Sequence, residues 1–440
     1  MSSKSSSTSP LTLGEKIMHV RKAKGYSQEN LAHAIKRNRP FVQRIENGQA
    51  QCTDEMLDTI KKFLGIENAP LLDHELEVYR GQLWVVNDLL NATRIPEAQK
   101  ILDEMAPITD IPFEQDLFLL YKIMELRLHL DDNYAIEEMK KIEALLNNVS
   151  NDALFLYHRT KGNLYLHIAD YKNAIRHYSK LQSLATDNLK LDATTLYCIG
   201  FVYYAIGKFY QAIRYLEQAK NELGNDRTSI ILPQIIINLA CSYVFTGDYK
   251  NAGALFETSL THAKTVDKSS FRIGAVQSYM AMYYIETKNY EKGLELCEDA
   301  LKNLNTESDL RKRPINKQSY AITLINKAQC LVKMNKIEEF KAVAEQALSL
   351  AEGDEHTTLL FKSLEHMTTL NNSASTDYLE NTAIPYFMNH GYSRITALEI
   401  CTNLEAHYKK KKLKTKALAM AAIIRDIYKG FFIVDEDFEL

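Results

Sequence analysis

The chain has 440 residues, of which 46% are hydrophobic and 25% are charged, a composition typical of folded globular proteins and not of disordered or fibrous ones. Only 16 Gly and 9 Pro occur, too few for the many turns of a β-rich fold, so we expect an all-α protein. No apolar run of about 18 residues occurs, and residues 1–10 lack the apolar core of a signal peptide. These features predict a cytoplasmic protein without a membrane partner.

Charge is distributed unevenly along the sequence. Residues 1–66 contain 11 Lys and Arg against 6 Asp and Glu, a net charge of +5, whereas the remainder contains 42 against 50, a net charge of −8. A basic head on an acidic body suits a polyanionic partner at the head, although such an excess is also typical of an ordinary solvated surface.

The N-terminal part of the sequence predicts a Ser-rich flexible tail at residues 1–10 and a compact unit at residues 11–66. Four short helical segments in this unit begin at residues that favour helix N-caps: Thr12, Ser27, Asn38 and Thr53. Glycines that favour helix C-termini follow three of these segments: Gly25, Gly48 and Gly65.

Two of these segments, "SQENLAHAI" and "RPFVQRIENG", are joined by a very short turn. Their apolar residues are spaced to pack together: Leu31, Ala32, Ile35, Val42 and Ile45. This is the helix-turn-helix pattern, in which the second helix enters the major groove of DNA.

The stretch "LGEKIMHVRKAKGYSQENLA" followed by "VQRIENG" resembles the DNA-binding domain of the phage repressor and Cro family. The resemblance implies double-stranded DNA as a partner, with paired half-sites, and Gln43 and Arg44 as the leading base contacts; the alternative for Arg44 is an ordinary exposed charge. The implied DNA-binding residues are Gln28, Arg39, Pro40, Phe41, Gln43, Arg44 and Asn47.

The turn departs from the family pattern, which has Gly and an apolar residue where this chain has Lys36 and Arg37. We expect the aliphatic stem of Arg37 to take the place of the apolar residue. Pro40 is compatible with the first helical turn, because no helical hydrogen bond is lost there. Glu46 is expected to be buried and to pair with Arg21.

After a linker helix region at residues 67–80, the sequence becomes repetitive over residues 81–430. Mostly small or apolar anchors recur, each with an aromatic or β-branched residue nine positions later, at spacings of 39, 37, 38, 40, 41 and 47 residues. The anchors are Val86, Glu125, Gly162, Gly200, Ala240, Ala281 and Ala328. A small residue on one helix lets its partner helix approach closely, so each unit is predicted to be a helical hairpin.

This register resembles the tetratricopeptide repeat, whose nominal period is about 34 residues. The resemblance implies a right-handed superhelix, for which we count about nine hairpins and a C-terminal tail at residues 431–440. Because helical residues turn about 100° each, positions two before and one after an anchor point away from the partner helix and line the concave face.

Asn side chains are suited to such a face, because one amide can donate to a peptide carbonyl and accept from a peptide N–H. The same side chains could instead bond neighbouring helices. The candidate peptide-binding residues are Arg159, Asn163, Tyr197, Phe201, Tyr204, Gln234, Asn238, Tyr279, Asn326, Gln329 and Asn403.

Signatures of catalysis are missing from the sequence. It has no Gly-rich phosphate loop, no HExxH and no GxSxG, and its twelve histidines lack metal-ligand spacing. The six cysteines contain no CxxC pair, and five of them occur in apolar helical contexts that predict reduced core thiols. We therefore expect no enzyme, no cofactor and no metal.

A repressor-like head followed by tetratricopeptide-like repeats resembles the RRNPP family of quorum-sensing regulators of Gram-positive bacteria. The resemblance implies a cytoplasmic homodimer whose repeats bind a short signalling peptide and whose DNA affinity changes on binding. Two alternatives stay open: an adaptor whose repeats bind a partner protein such as a response regulator, and a regulator that senses a metabolite.

Overall fold

A computed structural model describes residues 11–91, 94–129, 133–146, 149–185, 190–224, 229, 231–305, 314–350, 354–389 and 394–432. Every regular element in these ranges is helical, and none of them is a strand. The chain divides into two compact units, Met1–Lys190 and Leu191–Leu440. The predicted tail at residues 1–10 and residues 433–440 of the predicted C-terminal tail lie outside the described residues.

The first unit contains eleven α-helices in its described residues. They are α1 (Leu13–Ala23), α2 (Gln28–Ala34), α3 (Arg39–Glu46), α4 (Asp54–Leu64), α5 (Asp73–Asn91), α6 (Ile95–Glu104), α7 (Gln115–Arg127), α8 (Asn133–Glu143), α9 (Asn151–His167), α10 (Tyr171–Tyr178) and α11 (Leu181–Leu184). A 3₁₀ helix, Ala106–Asp110, precedes α7. Helices α1 to α4 form a small bundle, which we call the head.

The helices of the head begin and end where the sequence predicts. The side chains of Thr12, Ser27, Asn38 and Thr53 each accept a hydrogen bond from a backbone N–H in the first helical turn. Gly25, Gly48 and Gly65 all adopt positive φ. The five apolar residues predicted to pack between α2 and α3 are buried, which confirms the local structure expected of the head.

The second unit continues the helical hairpins. Its α-helices are α12 (Ala193–Ala205), α13 (Phe209–Leu223), α14 (Leu232–Phe245), α15 (Tyr249–His262), α16 (Ser270–Glu286), α17 (Tyr290–Asn305), α18 (Pro314–Lys333), α19 (Ile337–Leu350), α20 (Glu355–Thr368), α21 (Ser373–Tyr378), α22 (Ile384–Met388), α23 (Arg394–Lys410) and α24 (Lys414–Phe432). Two π-helical turns, Ala263–Asp267 and Leu379–Ala383, follow α15 and α21.

From α5 onward the described helices pack as nine successive antiparallel pairs. Residues 73–80, which belong to the predicted linker helix region, form the first two turns of α5. In unit 2 the second helix of one pair also packs against the first helix of the next pair, as in α13 with α14 and α17 with α18. Within unit 2, the apolar face of a pair is therefore covered by its neighbours along the chain.

Small residues lie where the two helices of a pair cross. A Cβ atom added to Gly200 would lie 2.7 Å from Cγ of Leu216 and 3.2 Å from the backbone nitrogen of Leu216. A Cβ atom on Gly162 would lie 2.6 Å from Cε1 of Tyr178. The helix pairs are thus closer than an alanine at these two positions would allow.

The last helix of unit 2 returns to its beginning. Phe431 of α24 packs against Phe209 of α13, with ring centroids 5.1 Å apart, and Phe209 lies 4.7 Å from Phe245 of α14. These rings join one hydrophobic core that extends through the last three pairs. A contact over this sequence distance means that the first and last pairs of unit 2 hold each other in place.

No described helix is both long enough and apolar enough to cross a bilayer. All six cysteines lie in the described residues and none of them forms a disulfide, and Cys241, Cys297, Cys330 and Cys401 are buried. Cys198, which was expected in a core, is only partly buried, because it precedes the helix-crossing residue Gly200 by two positions and so lies on the opposite side of α12 from α13.

Replacing Gly200 with alanine should destabilise the second unit by about 1–3 kcal/mol, because the added methyl group meets the backbone of α13 and cannot be accommodated by a side-chain rotation alone. Gly81→Ala is the matched control, since Gly81 also lies inside a helix but has no atom within 4 Å of the added methyl group. This control should be neutral or stabilise by about 0.5–1 kcal/mol. The midpoints of urea unfolding would measure the stability change of both variants. Equal shifts of the midpoint in Gly200→Ala and Gly81→Ala would contradict the close packing at Gly200.

Candidate functional site

Helix α3 is fixed at both ends by its own sequence. The Asn38 side chain accepts a hydrogen bond from the Phe41 N–H at 3.0 Å, and Pro40 occupies the first turn, as expected. Gly48 ends the helix at φ +69°. In the turn before α3, Lys36 adopts φ +52°, the left-handed conformation for which the repressor pattern has glycine.

A buried ion pair holds the inner face of α3 against α1. Arg21 Nε donates to Glu46 Oε1 at 2.6 Å and Arg21 Nη2 donates to Glu46 Oε2 at 3.0 Å. This confirms the predicted pairing. Gln28 Nε2 also donates to Glu46 Oε2 at 2.8 Å, and Arg39 Nε lies 3.5 Å from Gln28 Oε1. A polar chain therefore runs from the buried pair to the surface at the start of α3.

The outer face of α3 carries the residues proposed to contact DNA. Arg39, Pro40, Gln43, Arg44 and Asn47 are exposed, whereas Phe41 and Gln28 are half-buried. Between residues 36 and 49 the sole carboxylate is Glu46, which is buried and paired. The charged side chains exposed on the turn and α3 are therefore all cations.

Arg37 contradicts one expectation. Its stem does not replace the missing apolar residue of the turn, because Arg37 is exposed and its guanidinium carbon lies 5.5 Å from the ring centroid of Phe41. The adjacent core position is already filled by Ile35, which is buried. Sequence reasoning consequently missed Lys36 and Arg37 as members of the cationic surface, although both could have been found from the absence of nearby carboxylates.

Ion pairs attach the head to the first repeats within unit 1. Lys16 contacts Asp73 at the start of α5, Lys61 Nζ lies 3.2 Å from Glu75 Oε1, and Lys24 Nζ lies 3.0 Å from Asp110 Oδ1. His19 also packs against Phe113, with ring centroids 6.4 Å apart. The head therefore has polar and aromatic contacts with both ends of the first hairpin region.

Two candidate groove residues lie in unit 1, where both make internal hydrogen bonds. Arg159 is buried on α9, and its Nη2 donates to Asn91 Oδ1 at 3.0 Å. Asn163 is half-buried, and its Oδ1 accepts from the Tyr178 hydroxyl at 2.6 Å. The Asn163 amide group thus ties α9 to α10, which is the structural alternative considered above.

The aromatic candidates in unit 2 form a row along α12. The Tyr197 and Phe201 rings are 6.2 Å apart, and the Phe201 and Tyr204 rings are 6.3 Å apart. Asn238 Nδ2 on α14 donates to the Tyr197 hydroxyl at 3.4 Å, so the structure brings these two candidates together. Burial raises the pKa of the Tyr197 hydroxyl above its ordinary value.

The remaining candidates of unit 2 lie on α14, α16, α18 and α23. Gln234 and Tyr279 are half-buried. Asn326 is buried, and its Nδ2 donates to the backbone carbonyl of Ser278 at 2.8 Å. Asn403 Nδ2 donates to the Glu399 carbonyl at 2.8 Å, within its own helix. Asn326 therefore already binds a peptide carbonyl, but that carbonyl belongs to the neighbouring hairpin.

A charged cluster that sequence reasoning missed lies on the same helices. Lys333 Nζ is 2.9 Å from Glu399 Oε1, and Gln329 Nε2 donates to Glu399 Oε2 at 3.2 Å. Burial raises the pKa of the nearby Glu286, with a further increase from Glu399 and an opposing effect from Lys333. Glu286 and Lys333 each lie five residues after an anchor, so extending the repeat register by one turn would have found them.

Comparisons with known proteins support the repeat architecture. A family model described as tetratricopeptide repeat matches residues 321–354. No curated protein sequence matches the chain.

Several solved structures share the fold at low sequence identity. A Rap protein complexed with Competence and Sporulation Factor is 15% identical, with a TM-score of 0.63 over 81% of this chain and 99% of that one. The apo form of the quorum sensor NprR from B. thuringiensis is 18% identical, with a TM-score of 0.62 over 81% and 100%. NprR in complex with its cognate peptide NprX is 17% identical, with a TM-score of 0.62 over 80% and 99%. This likeness confirms an all-α fold of tetratricopeptide-like helix pairs.

Arg21→Met should destabilise the head by about 3–5 kcal/mol, because the Glu46 carboxylate would stay buried without its cation. Adding Glu46→Leu should restore most of that loss, since both charges are then absent. Amide hydrogen exchange of α1 to α4 in the full chain would report the head separately from the repeats. If the head of the Arg21→Met variant exchanges its amide hydrogens as slowly as the head of the wild type, this role for the ion pair is contradicted.

Proposed function

We propose that this protein is a DNA-binding transcription regulator whose repeats bind a short signalling peptide, and that peptide binding changes its affinity for DNA. In this proposal the head is a helix-turn-helix domain and the chain acts as a cytoplasmic homodimer. Neither an enzymatic activity nor a cofactor is part of it.

The observation that carries the proposal is the surface of α3. A helix whose inner face is fixed by a buried ion pair presents Arg39, Gln43 and Arg44 to solvent, and the sole carboxylate between residues 36 and 49 is the buried Glu46. Arg can donate two hydrogen bonds to a guanine edge, and Gln can bond both edge groups of adenine. Such a surface would repel no phosphate and could distinguish bases in the major groove.

The peptide half of the proposal is supported by the fold and by the side chains on the first helices of unit 2. NprR, which has a similar fold, is known with its cognate peptide bound. Here the row Tyr197, Phe201 and Tyr204 offers apolar surface, and Asn238 lies beside it. Asn326 is less suited to hold a peptide, because its amide is engaged with Ser278.

Coupling between peptide and DNA would pass through the contacts of the head with α5 and the segment after α6. Because Lys16, Lys61 and Lys24 bond carboxylates in that region, a displacement of the first hairpin would move α3 with it. In a dimer this would change the distance between two recognition helices, which must match half-sites about 34 Å apart or a multiple of that distance.

A second candidate function is an adaptor whose repeats bind a partner protein, with DNA binding secondary. The fold likeness to a Rap protein supports keeping this candidate. A regulator that binds a metabolite is the third, and it would need an enclosed pocket in place of an open groove.

The pair Gln43→Ala and Arg44→Ala separates the first two candidates. Each bidentate base contact is worth roughly 1–3 kcal/mol, so losing both should reduce the affinity ratio of specific over random DNA by at least about tenfold. The full-length protein would be incubated with fragments of the genome that encodes it, and the bound fragments sequenced.

Arg94→Ala with Gln99→Ala is the matched control, because it makes the same chemical changes outside the head, at the N-cap residue of α6 and within α6. The proposal expects wild type and control to enrich the same fragments and the α3 variant to enrich none. Regulatory output that persists in the α3 variant would favour the adaptor.

A further inference from the structure

The Phe41 ring carries two guanidinium groups. The guanidinium carbon of Arg37, in the turn, and that of Arg44, one helical turn after Phe41, each lie 5.5 Å from the ring centroid. Both arginines are exposed. Among the residues that the structure describes, no carboxylate forms an ion pair with either of them. One aromatic side chain is therefore the shared contact of two otherwise unneutralised cations.

This arrangement is poorly explained by stability alone. A cation above an aromatic face is attracted to it, but at an exposed site the gain is small, about two- to fivefold in an equilibrium constant. Two like charges brought to the same ring also repel each other. The head already obtains its rigidity from the buried Arg21–Glu46 pair and from apolar packing between α2 and α3. What the ring adds is a restricted position for two side chains that would otherwise move freely.

We propose that Phe41 is a positioning residue for DNA recognition: it holds Arg44 for a guanine in the major groove and Arg37 for a backbone phosphate. The inference rests on the proposed DNA-binding function and deepens it by naming the base pairs and by adding Arg37 to the DNA contacts. Arg44 lies inside the recognition helix, whereas Arg37 precedes it and so lies nearer the flanking backbone.

The ring also predicts the neighbouring base. Phe41 is half-exposed and belongs to the first turn of α3, the part of such helices that enters the groove most deeply. An apolar side chain in the major groove discriminates thymine by contact with its methyl group. The preferred DNA therefore contains a G·C pair next to a T·A pair in each half-site.

The test uses full-length protein and a pool of random-sequence duplexes, from which bound molecules are selected and sequenced. Four variants are compared with the wild type: Phe41→Leu, Phe41→Trp, Arg37→Gln and Phe63→Leu. The last is the matched control, because Phe63 is a half-buried ring of the head that packs against Tyr26, at 4.7 Å. Circular dichroism would establish that each variant keeps its helix content.

We expect the wild type and the Phe63→Leu control to enrich a guanine beside a thymine. Phe41→Leu should lose that guanine preference and bind the wild-type sequence about two- to fivefold more weakly for each guanidinium released. Phe41→Trp, which keeps an aromatic face, should retain the preference. Arg37→Gln should leave the selected sequence unchanged but reduce the slope of log affinity against log salt by about 1, the loss of one phosphate contact.

Two results would overturn the inference in distinguishable ways. Enrichment by Phe41→Leu of the same sequence with wild-type affinity would remove the positioning role and leave the DNA-binding function intact. If the wild-type protein enriches no sequence, both the positioning role of Phe41 and the DNA-binding function are contradicted. If Phe41→Leu fails to fold, the Phe41→Trp and Arg37→Gln measurements still decide, because an unchanged salt slope in Arg37→Gln contradicts the phosphate contact.

Discussion

The close approach of paired helices, permitted by a small residue at the crossing, is the constraint on which the rest of the structure depends. Gly200 and Gly162 leave no room for a methyl group, and Ala240, Ala281 and Ala328 occupy equivalent buried positions. Within unit 2, each pair packs against the next along the chain. In unit 2 the contact of Phe431 with Phe209 also links the last pair to the first.

In the head, too, the inner face of a helix is held by buried contacts while its outer face is exposed to solvent. Glu46 accepts from Arg21 and from Gln28, and Gln28 in turn lies beside Arg39. The buried Arg21–Glu46 pair thus helps to orient Gln28 and Arg39 at the surface through a chain of hydrogen bonds. The exposed face of α3 is free of competing carboxylates, so its cations remain available to an anionic partner.

Local features of this structure were predictable from sequence because they depend on residues close together in the chain. The caps at Asn38 and Ser27 and the glycine at position 48 determine helix ends without tertiary information. The repeat register likewise identified a buried small residue in the five repeats with the anchors Gly162, Gly200, Ala240, Ala281 and Ala328. The pairing of Arg21 with Glu46 followed from the expected burial of a carboxylate that requires a cation.

Contacts between distant segments were not predictable in this way. The bond from Asn326 to the Ser278 carbonyl depends on the relative rotation of α16 and α18, which the register does not specify. The return of α24 to α13 and the Lys333–Glu399 pair depend on how far successive hairpins turn. The repeat register could therefore name candidate groove residues, whereas the hydrogen bonds of Asn163 and Asn326 to internal partners became visible only in three dimensions.

The central claim is that occupancy of the repeats and affinity for DNA are thermodynamically linked. The direct measurement is a titration of short synthetic peptides against the full-length protein, with and without a selected duplex, on the wild type and on Asn238→Ala. The account predicts a peptide whose Kd changes with DNA by the same factor as the DNA Kd changes with peptide, and whose binding weakens in the variant. A peptide that binds the repeats equally well with and without DNA would contradict it.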